Sequence, residues 1–463
     1  MGQKPKIQND FFKNYWVKIE ENTNKNVTDF LRNYLIYKKG IIPNKSDVYK
    51  VFKNYVIISY NTDEYEELLK DLLRVSKFYY YIITQKHDDN NISLALKSID
   101  RLKITVSYPF IFKLFYNNEE GLISNSELFY CLKIIETYSI RRFVCDLPSN
   151  ALNKIYANLS KEIERIDGYQ NDYVDAFKRV LLSGTLSKKF PDDFTFIRKF
   201  KEKDIYNSKL YRLYILECLE NYDNKEMLDL EKLIEDGSLT IEHIMPQTLT
   251  KEWKDELGDN WLEVHSKYLN TIGNLTLTGY NSKYSNKSFK DKVNIEKGFR
   301  ESRLKLNRYI SEQTFWNEYN INKRSEILSD IASKVWSGIS SKNEIIKPQT
   351  EYIYLSDDID VTGTKPMEMI FMGDRYKISN WAEALVKVSE NLYNVDPSKL
   401  ISDAYDEGSK YCSISDSNLR SPKKVADDFF VETNYSAQNI VKNISLILKK
   451  YEIEDDELGF LIK

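Results

Sequence analysis

A chain of 463 residues is too long to close around one hydrophobic core, and its length predicts two to four domains. Charged residues make up 30% and apolar residues 42%, the balance of folded globular domains rather than of a disordered chain. No apolar run approaches the roughly 18 residues of a membrane span. The start, MGQKPKIQND, has no apolar core of a secretory signal, and Lys6 breaks the myristoylation pattern that Gly2 begins, so a cytoplasmic protein without membrane attachment is expected.

The net charge of −3 hides an uneven distribution. Nine basic residues (Lys283, Lys287, Lys290, Lys292, Lys297, Arg300, Arg303, Lys305 and Arg308) are interrupted by only three acids, Asp291, Glu296 and Glu301. Residues 350–463 hold 13 basic and 21 acidic residues, a net of −8. A phosphate backbone would be drawn to the first segment and repelled by the second. Cys131, Cys145, Cys218 and Cys412 are far apart in sequence, which points to free thiols rather than to disulfides or a zinc site.

Residues 1–230 read as a helical domain, a multi-helix bundle with no fixed-period repeat. In DEYEELLKDLLRVSKFYYYIIT, Leu68, Leu69, Leu72, Leu73, Val75 and Tyr79 recur at helical spacing, and Asn61 with Glu64 forms a candidate capping box. SELFYCLKIIETYSIRRFV and SKLYRLYILECLENY repeat the pattern.

Residues 231–336 change character. SLTIEHIM predicts a strand, the polar Trp-containing stretch after Pro246 is partly helical, and TIGNLTLTGY predicts a second strand with Gly273 at its entry turn. NKSFKDKV then begins a short basic helix, giving the order strand, insertion, strand, helix. Near 337–352, SGISSKNEIIKPQT reads as a linker. Residues 350–463 read as a small α+β domain of unassigned role. IFMGDRYKI is a hairpin with Gly373-Asp374 as its turn. Asn380 caps a helix whose apolar face is Trp381, Leu385, Val388 and Leu392, and IVKNISLILKKY is a second amphipathic helix. The fold class expected is mainly α with a small α+β insert and a small α+β C-terminal domain.

Three histidines occur, and one of them, His243, follows Glu242 in LTIEHIMPQTL. Hydrolysis of a phosphodiester by one divalent metal needs a base for the attacking water, a hard cation with oxygen ligands, and a polar group that orients the base. His243 has the intrinsic pKa of a base. Glu242 can offer a carboxylate to Mg²⁺, although neighbours on a regular strand point to opposite faces. Asn274, Asn281 and Asn286 are neutral oxygen donors in GNLTLTGYNSKYSN. Asn281 stands at the strand-to-helix junction within reach of a metal at Glu242, and Asn274 fixes the loop or orients the histidine. Asn286 is the competing ligand, or caps a helix with Phe289. Lys292 approaches the phosphate or a developing charge. Lys283, Lys287, Lys290 and Lys297 are candidate DNA-backbone contacts. His265 reads as a solvated helix residue, His87 as a loop residue, and the tyrosines as core.

Taken in order, IEHIMPQ, a Trp, IGNLTLTGYN, SNKSF..K and WNEYNINKRSEIL, with Trp316 and Arg324, resemble the C-terminal nuclease domain of GmrSD-type restriction proteins. That domain belongs to the His-Asn-His, or ββα-metal, nucleases. The resemblance covers about residues 235–330, and FLRNYLIYKKGIIPNKSDVYKVFKNY resembles the helical half that precedes it. It implies a DNA endonuclease using Mg²⁺ or Mn²⁺, of a modification-dependent restriction or anti-phage defence system, with DNA, including modified phage DNA, as its partner. His243 would be the general base, Glu242 a metal-side carboxylate and Asn274 the middle Asn, with the third motif position on Asn281 or Asn286. The DGQQR-like motif of an NTP-using domain is missing, as is a GxxxxGK[ST] loop. NTP dependence is therefore not carried over, and a separate NTPase subunit or domain is an expected partner. A recognition or assembly subunit whose nuclease is silent, and an RNase, are the alternatives.

Overall fold

The computed structural model describes residues 5–40, 42–149, 151–184, 186–343, 352–355, 360–405, 411–451, 453, 455 and 457–462. It is mainly helical with small antiparallel sheets, in two compact units, Met1–Ile345 and Ile346–Lys463.

In the first unit the apolar periodicity is realised as packing. The helix Tyr65–Thr84 buries Leu68, Leu72, Val75, Phe78, Tyr79 and Ile82, while Leu69 and Leu73 lie half-buried at the edge of the stripe. At its start the Glu64 carboxylate takes the Asn61 N–H at 2.7 Å, one of the two arms of the expected box. A full capping box opens the helix Asn125–Val144 instead, between Ser124 and Glu127.

The order of strand, insertion, strand and helix holds. β1 (Thr240–His243) and β2 (Leu275–Thr278) pair antiparallel, with His243 opposite Leu275 and Glu242 opposite Thr276. Between them lie the helices Lys251–Leu257 and Trp261–Tyr268. Cross-strand partners share a face of the ribbon. Leu275 and Leu277 enter the core that Phe30, Leu72, Phe112 and Ile135 build in the helical half. The second core of the unit holds Ile244, Trp253, Phe289, Trp316 and Ile321. The segments 1–230 and 231–336, expected as separate domains, thus share one compact unit, because β2 has no apolar partner layer of its own.

The helix Glu318–Val335 locks this join. Arg324 is fully buried and donates to the carbonyls of Ile272, Gly273 and Leu275 at 2.8–2.9 Å and of Leu306 at 3.2 Å. The helix runs so close to Gly273 that a Cβ there would stand 2.5 Å from the Ile321 carbonyl oxygen. At the far end Arg141 donates to the Trp336 carbonyl at 2.8 Å. Of the expected linker, Ser341, Lys342 and Asn343 are tied to the Asp175 carboxylate, and 344–351 lie outside the described residues.

The second unit is α+β. One sheet has the order β3 (Ile353–Tyr354), β9 (Leu458–Ile462), β4 (Pro366–Phe371), β5 (Asp374–Lys377), and the other β6 (Cys412–Ser413), β8 (Phe429–Glu432), β7 (Pro422–Ala426). Its hairpin corrects the expected turn by one residue. Phe371 pairs with Asp374, so the turn is Met372-Gly373, with φ of +50° and +90°. A two-residue turn of that hand needs positive φ at both places, and Gly373 meets the second without strain. Asn380 caps the helix Trp381–Val395 as expected, accepting from Glu383 N at 2.9 Å, and Trp381, Leu385, Val388 and Leu392 are buried. Among the described residues no helix is long and apolar enough to cross a membrane. The four cysteines are free, two buried and two half-buried.

Candidate active site

The last two residues of β1 face opposite ways, as strand geometry dictates. Glu242 turns towards the short helix Phe289–Asn294, and His243 towards Tyr206 and the loop that follows the helix Asp193–Glu202. The chain does not bend to bring the two together.

On the Glu242 face, Lys292 Nζ lies 2.6 Å from Glu242 Oε1 and donates to the carbonyls of His243 and Ile244, both at 3.1 Å. Both side chains are buried, at 5% and 0% exposure. Burial pushes the Glu242 carboxyl up and the Lys292 ammonium down, and each partner opposes that shift in the other. Lys292 was expected to meet phosphate; its ammonium is instead enclosed with three acceptors. Asn281 Nδ2 donates to the Ile241 carbonyl at 3.1 Å, which draws this side chain to the base of β1. Asn286 is exposed, and the cap of the helix Phe289–Asn294 is Ser288, not Asn286. Among the described residues no group of three His, Cys, Asp or Glu side chains is placed to hold a metal ion. The donor set as arranged does not fit Mg²⁺ or Mn²⁺ at Glu242, because the Lys292 ammonium stands where the cation would be needed.

On the other face, His243 is 7% exposed. Burial lowers its pKa to about 4, with the Asn270 hydrogen bond opposing, so the ring is neutral at pH 7 and a weaker base than a free imidazole. The Tyr206 ring stands edge-on to it with centroids 4.3 Å apart. His243 Nε2 lies 3.3 Å from Asn270 Oδ1, and Asn270 Nδ2 donates to Asp204 Oδ2 at 3.1 Å. Asn274 is fully buried and brackets the residue two beyond the histidine. Its Oδ1 accepts from Met245 N at 2.7 Å, and its Nδ2 donates to Met245 O and Leu269 O, both at 3.0 Å. His265, expected to be solvated, is half-buried and its Nε2 lies 3.1 Å from the Pro246 carbonyl, closing the same loop. His87 sits in a loop against Tyr81 and Phe115.

Lys283, Lys287, Lys290 and Lys297 are all exposed. Lys283 and Lys297 flank the ring of Tyr280, at 5.7 and 5.5 Å from its centroid. The basic stretch is not one helix. It breaks into Asn281–Tyr284, Phe289–Asn294, the 3₁₀ turns Phe299–Glu301 and Lys305–Asn307, and Arg308–Ser311. Lys305 is turned inward, donating to the carbonyls of Tyr222 and Asp223.

Asp204, Tyr206 and Asn270 were not identified from the sequence. DIYN at 204–207 carries a visible turn signal, an Asp followed by Asn, but nothing in it points to a histidine far downstream. Residues 190–331 match the family model described as GmrSD restriction endonucleases, C-terminal domain. The matched segment begins inside the helical half and takes in Asp204, Tyr206, both strands and Arg324. No curated protein matches the chain.

Proposed function

We propose, from a segment that matches the GmrSD restriction endonuclease C-terminal domain, that this chain is a DNA endonuclease of a restriction or anti-phage system and that His243 is its general base. The observation that carries the reading is a buried imidazole at the end of β1, inside the matched segment, with its Nε2 3.3 Å from Asn270 Oδ1. A neutral base of this kind takes a proton from water as the water oxygen attacks phosphorus. The resemblance implies that the P–O3′ bond is the one that breaks, so that a 5′ phosphate remains on one fragment and the departing O3′ gains a proton to become a hydroxyl.

Asn274 and Lys292 act here as positioning residues. One brackets the main chain at Met245 and the other holds the carbonyls of His243 and Ile244, so the histidine backbone is gripped from both sides. Exposed Lys283, Lys287, Lys290 and Lys297, which form no ion pair among the described residues, offer the DNA backbone a set of cations. Mg²⁺ or Mn²⁺ is implied by the ββα-metal likeness. At Glu242 such a cation would have to replace Lys292.

Incubation of the protein with plasmid DNA in Mg²⁺, in Mn²⁺ and in EDTA tests the proposal. Nicking or linearisation by the wild type and its loss in His243→Ala are the expected results. Equal cleavage by His243→Ala refutes the assignment. Tight DNA binding without cleavage under every condition favours the alternative of a recognition subunit.

A further inference from the structure

The amide of Asn270 stands between two groups whose hydrogen-bonding capacities differ. An ionised carboxylate only accepts, whereas an imidazole nitrogen either donates or accepts according to tautomer. Asp204 is fixed in place, since its two oxygens accept from Asn207 N at 3.0 Å and Asn207 Nδ2 at 2.7 Å. The Asn270 main chain is fixed to the same loop, its carbonyl accepting from Ile205 N at 3.1 Å and Tyr206 N at 3.3 Å. With both ends held, the side-chain amide has one sensible orientation. Its NH₂ must face the carboxylate, at 3.1 Å from Asp204 Oδ2, and its oxygen must therefore face the ring, at 3.3 Å from His243 Nε2.

We infer that Asp204, acting through Asn270, holds His243 in the tautomer protonated at Nε2, so that Nδ1 is the atom that accepts the proton from water. The inference deepens the proposed nuclease reading and rests on it only for what Nδ1 does. Asp204 and Asn270 are positioning residues: neither needs to touch the substrate. The polarity of the chain runs one way, from carboxylate to amide NH₂, from amide oxygen to ring N–H. Removing the carboxylate frees the amide to turn over. Its NH₂ could then face Nε2, which would move the ring proton to Nδ1 and leave the wrong nitrogen basic.

The test is the ring ¹⁵N spectrum of the full chain labelled at histidine, recorded at neutral pH. Only three histidines contribute, and His243→Asn identifies the signals of interest. In the wild type, Nε2 should resonate as a protonated, pyrrole-like nitrogen and Nδ1 as an unprotonated one. Asp204→Ala should convert this to a mixture or to the opposite tautomer. The exchanged pair Asp204→Asn/Asn270→Asp should restore it, since an amide at 204 can donate to a carboxylate at 270 that accepts from Nε2. Asp204 is exposed and Asn270 keeps its main-chain bonds in both variants, so the fold should survive them. Cleavage by Asp204→Ala should fall by about 10–100-fold at unchanged DNA affinity, and the exchanged pair should recover it. A wild-type ring protonated at Nδ1, or a tautomer unmoved by Asp204→Ala, overturns the inference. The spectrum needs no substrate, so its result is separate from the nuclease reading. A tautomer that shifts in a protein that never cuts DNA refutes only that reading. His243-dependent cleavage with a tautomer indifferent to Asp204 refutes only this one.

Discussion

Lys292 Nζ and Glu242 Oε1 are 2.6 Å apart inside the protein, with both side chains buried. An ammonium has three protons, and here each has its acceptor: one carboxylate oxygen and two carbonyls of the strand end. The pair therefore fixes the strand end to the helix Phe289–Asn294 through the one residue that follows the proposed ligand and the one that follows it again. Removing one partner leaves a buried charge without compensation. Lys292→Met should destabilise the first unit by about 3–5 kcal/mol in urea unfolding. The double variant Glu242→Gln/Lys292→Met should regain a large part of that loss. Equal stability of Lys292→Met and the wild type would show that the pair is not formed in solution.

The same pair makes a prediction about metals. In the wild type, Glu242→Gln should leave Mn²⁺ binding, followed by electron paramagnetic resonance, unchanged, because the carboxylate is already occupied. In Lys292→Ala, with the ammonium gone, Mn²⁺ binding that depends on Glu242 should appear. Loss of wild-type Mn²⁺ binding on Glu242→Gln would mean that the cation displaces the lysine.

The arginine under β2 offers a second stability test. Arg324 makes four hydrogen bonds to main-chain carbonyls, and desolvation lowers its pKa to about 9. Arg324→Met should cost several kcal/mol, about 1.5–3 for each charged hydrogen bond lost before relaxation. Gly273→Ala should cost about 1–3 kcal/mol, since the added Cβ meets the Ile321 carbonyl. Both are read as a shift of the unfolding midpoint, and a Gly273→Ala protein as stable as the wild type would show that the helix Glu318–Val335 can retreat at no cost.

DNA affinity should depend steeply on salt if the exposed lysines dock on phosphates. Replacing Lys287 and Lys290 together by Gln should reduce the slope of log K against log salt by about two units. An unchanged slope would move the DNA surface elsewhere.

A pH dependence is expected in the second unit. Glu432 is buried in β8; burial alone would raise its pKa, but N–H groups of Asn434, Arg420, Ser421 and Thr433 outweigh this and lower it below 4.5. Its contribution to stability is then fully present above the unfolded value, near 4.5, and is lost as pH falls through the lower folded value. Glu432→Gln should remove this acid sensitivity and be less stable at pH 7. Parallel acid titrations of the wild type and variant would reveal a contrary slope.

Much of this was legible in the chain itself. Alternating Thr and Leu in LTLT, and the isoleucine-rich TIEHIM before Pro246, mark the two strands; the capping pattern at Asn380 marks a helix start to the residue. What escaped lies in contacts between distant segments. A lysine in a basic run reads as a phosphate contact, and only the close approach of β1 turns Lys292 inward. An Asn after a Tyr and a Leu, at Asn270, carries no signal of a histidine partner, since periodicity reports which face is buried and not what meets it. The turn at Met372-Gly373 was missed by one residue because Gly-Asp and Met-Gly are both permissible, and only the pairing of Phe371 with Asp374 separates them.

The burial of Leu275 and Leu277 in the core of the helical half sets the portability of the segment that carries the candidate site. A fragment beginning near residue 231 would carry every residue of the IEHIMPQ and IGNLTLTGYN motifs and yet present one side of its ribbon bare to water. Such a module cannot be moved to another protein by its motif boundaries alone; the helices that precede it must travel with it. Any mutation that loosens those helices, however far from His243, should reach the candidate site as a loss of its foundation.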